Sequence, residues 1–402
     1  MNKVSTDRQL IEKFLTRGVE AIYPSVDALR QKLLSGERLR IYQGYDPTGP
    51  YLHVGHAIGI RSLRILQQLG HEVIFLIGDY TAKVGDPDKA DTRKMLTEED
   101  IENNLAGWKR QAAQLIDFEG ENPVQFKRNY EWLSKLTLND TIKLMSQMTV
   151  QRMLERDLFD RRIKEGNPVG LHEFIYPLMQ GYDGVHMQVD MEIGGADQTF
   201  NMLVGRQLSR SYLNKEKFVR ANKMMDAPDG RTMSKTKGNG INLGDNAADM
   251  YGKAMSYPDS AIINGLELLT DVSEEDIKII AKEMSEGANP MQFKKLFAFE
   301  IVKSIKGEAE ALAAKEHFEA TVQNKEIPDE MPIIRIEEAS LPIIDLIVAT
   351  GLATSRGEAK RLIEQNGIRI GGQPINDPST IISLSEGLII QRGKRQFVKI
   401  AR

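Results

Sequence analysis

The chain has 402 residues, 41% of them hydrophobic and 27% charged, a balance that suits two or three folded domains and excludes a disordered polymer. It has no cysteine, which excludes disulfides and cysteine-ligated zinc, and no apolar run of about twenty residues, which excludes a spanning helix. The formal charge of −4 hides an asymmetry: residues 341–402 carry nine Lys or Arg against five Asp or Glu, so this tail is net +4 and the rest −8, a basic module on an acidic body that suits a polyanionic partner.

The segment Met1 to Gly18 is polar, with no signal-peptide core or lipidation signal, so a cytoplasmic location is expected. Leu39-Arg40-Ile41-Tyr42 alternates as a strand does, and Asp46-Pro47-Thr48-Gly49-Pro50 is a dense turn signal. Val54, Ile58, Ile65, Leu66 and Leu69 then recur at helical spacing up to Gly70, and Glu72 to Ile77 reads as the next buried strand. This strand-loop-helix-strand unit puts His53 and His56 at a helix start, where unpaired N–H groups and the macrodipole favour an anion such as phosphate. Residues 95–170 read as a helical insertion between two nucleotide-fold halves, with Trp108, Leu115, Ile142, Met145, Met148 and Leu154 as apolar markers. A strand at Val189 to Ile193 ends in Gly194-Gly195, a loop rich in Gly, Lys and Pro follows from Asp226 to Gly240, and 247–324 is helical again. Ile327 to Pro342 reads as a linker. In the tail, Ser355 to Ile363 reads as a basic helix, Asn366 to Ile375 as strand-turn-strand, and Val398-Lys399-Ile400 as a last strand.

Three clusters carry chemistry. Neutral imidazoles at His53 and His56 can donate to phosphate oxygens, with Gly55 between them admitting a base or ribose close to the backbone. The alternatives are a surface pair or half of a zinc site, which would need further ligands at the right spacing. Tyr176, Gln180 and Asp183 share one helical face, either a solvent stripe or the wall of a polar pocket. Gly194-Gly195-Ala196-Asp197-Gln198 follows a strand, so its glycines permit close backbone approach while Asp197 can accept from ribose hydroxyls.

Tyr42-x-Gly44-x-Asp46-Pro47-Thr48 followed by His53-Val54-Gly55-His56 resembles the first signature of class I aminoacyl-tRNA synthetases in its bacterial tyrosyl form. Arg231-Thr232-Met233-Ser234-Lys235-Thr236-Lys237 resembles the second signature, with Thr232 where the family's first lysine falls, so that Arg231, Lys237 or Lys223 would have to substitute. The resemblance implies an α/β fold: a Rossmann-like parallel sheet with a helical insertion (1–228, insertion about 95–170), a signature loop and helical anticodon-side domain (229–326), a linker (327–340), and an S4-like α+β RNA-binding domain (341–402). It implies ATP contacts from Asp46, Gly55, His56, Gly195, Asp197, Met233, Ser234 and Lys235, with Thr48, His53, His56 and Lys235 as catalytic donors. Asp86, Tyr176 and Gln180 would hold the amino acid's α-amino group, Tyr42 and Asp183 its phenol hydroxyl, and Gln198 would lie near the activated carboxyl or the α-phosphate. Arg356, Lys360, Arg361 and Arg369 would meet RNA.

The same resemblance implies the substrates L-tyrosine, ATP with Mg²⁺ and tRNA(Tyr), no tightly bound cofactor, no membrane partner and a homodimer formed through the helical insertion. Competing expectations are a tryptophanyl enzyme, a catalytically silent RNA-binding relative, for which Thr232 leaves an opening, and a non-tRNA nucleotidyltransferase, which would not explain the basic tail.

Overall fold

The computed structural model describes residues 4–86, 96–226, 240–320, 331–336, 338–393 and 396–401, and the chain divides into two units, 1–312 and 313–402. Six strands form the sheet of the first: β1 (Val19–Tyr23), β2 (Arg40–Tyr45), β3 (Glu72–Ile77), β4 (Gln125–Arg128), β5 (Met191–Gly195) and β6 (Phe218–Asn222), in the order β1-β6-β5-β2-β3-β4. All neighbours run parallel except β1, which pairs antiparallel with β6 at one edge. Strands of a parallel sheet are covered on both faces and so read as continuous apolar runs, and in β3 every residue from Val73 to Ile77 is buried. The chain steps from β2 outward to β3 and β4, then returns beside β2 to lay down β5 and β6 on the other side. The crevice of such a sheet lies at the carboxyl ends of the strands where this order reverses, here β2 and β5.

The helix Val54–Gln68 joins β2 to β3 and buries Val54, Ala57, Ile58, Leu63 and Leu66. It stops where Gly70 takes φ 86°, which lets the His71 N–H donate to the Leu66 carbonyl at 3.1 Å. His71 is fully buried and its Nδ1 accepts from the Leu39 N–H at 3.3 Å. Burial, aided by the nearby Arg38 guanidinium, pushes its pKa down from 6.5 to about 4. Between those values the unfolded chain binds a proton that the folded chain refuses, so stability rises with pH across this window. Acidification from pH 7 to 4 should remove roughly 3 kcal/mol through this one group. Urea titrations of a His71→Gln variant should show a correspondingly flatter pH profile, and an unchanged slope would refute the assignment.

Two expectations need correction. The segment 95–170 is not purely helical: β4 lies inside it and extends the main sheet by pairing with β3 from Ile74↔Gln125 to Ile77↔Arg128. Its four residues are all half-buried, so this edge strand leaves no alternation of apolar and polar positions to read. The linker expected over 327–340 likewise contains β7 (Ile333–Arg335) and the start of β8 (Ser340–Pro342), both of which belong to sheets of the second unit. Pro328 and Pro332 read as breakers, yet the Pro332 carbonyl accepts from the Lys399 N–H at 2.9 Å beside β7. After residue 246 the described residues form the helices Ala247–Met255, Ile262–Leu269, Glu274–Ser285, Pro290–Lys306 and Glu308–Phe318, and 321–324 lie outside the described residues.

The second unit continues with β9 (Ile368–Ile370), β10 (Gln373–Ile375), β11 (Ile381–Ser383), β12 (Ile389–Arg392) and β13 (Gln396–Ala401). Five strands run in the order β10-β9-β12-β13-β7, and β11 pairs with β8. The helices Ile343–Ala349 and Arg356–Glu364 share a core with this α+β sheet through Leu346, Ile347, Ala359, Ile363, Ile368, Ile390 and Ile400. Arg356, Lys360, Arg361 and Arg369 are all exposed, the first three on one helix. Arg356 pairs with Asp345, and Lys360 lies 3.9 Å from Glu364.

Candidate active site

A cleft of about 290 Å³ opens at the carboxyl ends of β2, β3, β5 and β6. Tyr42, Asp46, Thr48, His53, Gly55, His56, Asp86, Tyr176, Gln180, Asp183, Gly195, Asp197 and Gln198 all line it, so the expected residues from distant stretches converge. Thr232, Met233, Ser234 and Lys235 lie outside the described residues, as do Arg231 and Lys237. The flanks of that segment border the site: Met224 and Met225 line the cleft, and on the far side Val54 N–H donates to Ile241 at 2.9 Å and Leu243 N–H to Leu52 at 2.7 Å.

His53 is the N-cap of the helix Val54–Gln68, its Nδ1 accepting from the Gly55 N–H at 3.2 Å, while the His53 N–H donates to His56 Nδ1 at 3.0 Å. Each Nδ1 is thus an acceptor, which assigns the proton of a neutral ring to Nε2. The turn before them is clamped by the insertion: Asn104 Nδ2 donates to the Pro47 carbonyl at 2.8 Å, Trp108 Nε1 to Gly49 at 3.0 Å and Gln111 Nε2 to Pro50 at 2.9 Å.

The cleft also carries acidic side chains. Asp46 accepts from the Tyr176 hydroxyl at 2.9 Å and from Thr81 Oγ1 at 2.8 Å. Asp86 is paired with the buried Arg156 at 2.7 Å and accepts from Gln198 Nε2 at 2.8 Å. Asp183 is 3% exposed and accepts from Trp132 Nε1 at 2.7 Å and Asn129 Nδ2 at 3.1 Å. Burial pushes its carboxyl well above the usual range, and the two donors pull against that shift. Tyr42 is fully buried, its hydroxyl donating to the Gln180 carbonyl at 3.3 Å, and burial together with Glu192 and Asp183 raises its pKa further. Five acidic side chains line the cleft (Asp46, Asp86, Asp183, Asp197, Glu192) together with Lys223; Asp86 and Glu192 pair with the buried Arg156 and Lys217, and the acidic lining suits a ligand ammonium. At Gly195 a Cβ would lie 2.3 Å from Asp197 Oδ1, so any side chain there would push the Asp197 carboxylate from its present place.

Sequence reasoning missed Thr81, Asn129, Trp132, Arg156, Glu192, Asn201 and Lys217. Glu192 could have been found, because it is a lone carboxylate in an otherwise apolar strand. Asn129 and Trp132 sit just after β4, the strand that went unread, and nothing local marks Arg156 or Lys217.

Residues 34–323 match the family profile described as tRNA synthetases class I (W and Y). Residues 323–400 match that of the tyrosine--tRNA ligase SYY-like C-terminal domain. The tyrosine--tRNA ligase of Thermotoga maritima is 42% identical over 392 residues, covering 97% of this chain and 96% of the relative. That of Aquifex aeolicus is 40% identical over 376 residues, covering 93% and 94%. Among solved structures, a C-terminally truncated mitochondrial tyrosyl-tRNA synthetase of Aspergillus nidulans superposes with TM-score 0.63 at 22% identity, over 77% of this chain and 92% of that one. The tyrosyl-tRNA synthetase of Archaeoglobus fulgidus complexed with L-tyrosine gives 0.59 at 22% identity, over 77% and 100%. These two likenesses speak to the fold.

Proposed function

The chain belongs to the class I tyrosyl-tRNA synthetase family, and from that premise we propose which of its residues carry the family's reaction. It activates L-tyrosine with ATP, giving tyrosyl-adenylate and pyrophosphate, and transfers the tyrosyl group to the 3′ end of tRNA(Tyr). The tyrosine carboxylate attacks the α-phosphorus, a P–O bond forms as the bond to pyrophosphate breaks, and no protein nucleophile takes part. Catalysis then rests on holding the two reactants in line and on donors aimed at charge developing on the phosphates. We assign the donor role to His53, His56, Thr48 and Lys235, with Met233 and Ser234 beside Lys235. Asp46, Gly55, Gly195 and Asp197 would border the nucleotide, Asp197 accepting from the ribose. Tyr176, Gln180 and Asp86 would surround the ammonium, Gln198 the carboxyl, and Tyr42 with Asp183 the phenol hydroxyl.

The observation that carries this assignment is the convergence on one cleft of imidazoles at a helix N-terminus, which suit phosphate, and of Asp86, Tyr176 and Gln180, which suit an ammonium. Mg²⁺ would arrive on the ATP phosphates. No helix among the described residues is long and apolar enough to cross a membrane, and cytoplasmic work on tRNA fits a translation enzyme. We also assign the exposed Leu138, Ile142 and Met145 of one helix, at 77%, 58% and 46% exposure, to a homodimer contact with a second copy. A sedimentation mass of a single chain would refute that contact.

Amino-acid-dependent ATP–pyrophosphate exchange across all twenty amino acids tests the assignment, with exchange expected for tyrosine. Exchange driven by tryptophan, or by none, would overturn it. In the second half-reaction, K360E with R361E should raise the KM for tRNA and weaken its salt dependence while exchange is unaffected; unchanged charging would free the tail of that role.

A further inference from the structure

We propose that the buried ion pair between Lys217 and Glu192 is a positioning device for the amino-acid pocket, fixing which end of the Gln180 amide faces the substrate. This rests on the tyrosine reading above and deepens it. The Lys217 and Glu192 side chains are 0% and 2% exposed, and Lys217 Nζ bonds Glu192 Oε2. The other carboxylate oxygen, Oε1, accepts from Gln180 Nε2 at 3.0 Å. A carboxylate can only accept, so it draws the NH₂ end of Gln180 towards itself and turns the carbonyl end away. Gln180 Oε1 then accepts from Asn201 Nδ2 at 3.0 Å, and the same Nδ2 donates to Gln198 Oε1 at 3.0 Å. One buried charge pair therefore orients two amides that border the cleft, and it keeps an acceptor, not a donor, where a ligand ammonium would sit.

Stability does not account for this pair. Taking two charges out of water offsets most of their attraction, and apolar replacements of buried pairs are often neutral or stabilising. The fold nevertheless leaves room for the ammonium: a Cβ on Gly205 would come within 2.4 Å of Lys217 Nζ.

The test compares the full-length double variants E192L/K217M and E192Q/K217M with the native protein, by equilibrium dialysis of tyrosine, ATP–pyrophosphate exchange and thermal melting. E192L/K217M should lose about tenfold in tyrosine affinity, with KM for ATP within about twofold and Tm unchanged or higher. E192Q/K217M, whose new amide can still accept from Gln180, should lose only about threefold. Native-like tyrosine affinity in E192L/K217M, or equal losses in both variants, would overturn the proposal. If the apolar pair does not fold, the same result is read in a Gln180→Met background, where E192Q/K217M should change tyrosine affinity no further; an undiminished change there would also overturn it. Native protein that binds no tyrosine would sink the tyrosine reading, and the anchor with it.

Discussion

Replacing His56 by alanine should lower kcat for tyrosine-dependent pyrophosphate exchange by about 10² to 10³, with the KM for tyrosine within about threefold of native. The His56 ring accepts from the His53 N–H through Nδ1 at 3.0 Å, so the proton of its neutral form is on Nε2 and serves as a donor. As the bond to pyrophosphate breaks, negative charge grows on the phosphates, and a donor held rigid beforehand stabilises that charge more than it stabilises the bound substrate. The rigidity comes from the capping arrangement itself, in which each histidine also satisfies a backbone N–H at the helix start. Alanine therefore removes a cap as well, at about 1 kcal/mol of stability. His56→Asn separates the two effects, because its side-chain oxygen can still cap while its NH₂ is too short to reach as the imidazole does. Native Tm with a large kcat deficit is expected for asparagine. Full kcat in either variant would remove His56 from the donor set.

The legibility of this chain follows the range of its interactions. The unit from β2 to β3 could be read because each step is local: a buried apolar run in Val73 to Ile77, helical recurrence from Val54 to Leu66, and Gly70 at the stop. Tyr176, Gln180 and Asp183 could be read as one face because a helix fixes that face by spacing alone. β4 could not, since Gln125 and Arg128 are polar and its pairing partner, β3, lies about fifty residues earlier. β7 was hidden for the same reason, being recognisable only once β13 lies beside it. At the site, the motif residues were visible but their supports were not. Arg156 reaches Asp86 across 70 positions, and Gln198 reaches the same carboxylate across 112. Partners closed by tertiary contact leave no periodic trace.

Asp183→Ala should reduce the preference for tyrosine over phenylalanine by roughly 10- to 100-fold, chiefly through a lower kcat/KM for tyrosine. Trp132 Nε1 and Asn129 Nδ2 hold the Asp183 carboxylate at 2.7 and 3.1 Å, and at 3% exposure the carboxylate has no bulk water to satisfy its remaining lone pairs. A phenol hydroxyl entering beside Asp183 and Tyr42 would donate to a carboxylate lone pair that Trp132 and Asn129 do not fill; phenylalanine would leave that lone pair unsatisfied. Each buried polar group left without a partner costs about 1–3 kcal/mol, so rejection of phenylalanine is a penalty located on the protein side. Alanine at 183 abolishes that penalty and, with it, the gain that tyrosine makes. It also orphans the Trp132 and Asn129 donors, so Tm should fall, and kinetics must be taken well below the new transition. Phenylalanine kcat/KM should then rise or hold while that of tyrosine falls. If the ratio of the two stays at its native value in a folded variant, the phenol hydroxyl is recognised elsewhere in the cleft and Asp183 serves only the packing around Trp132.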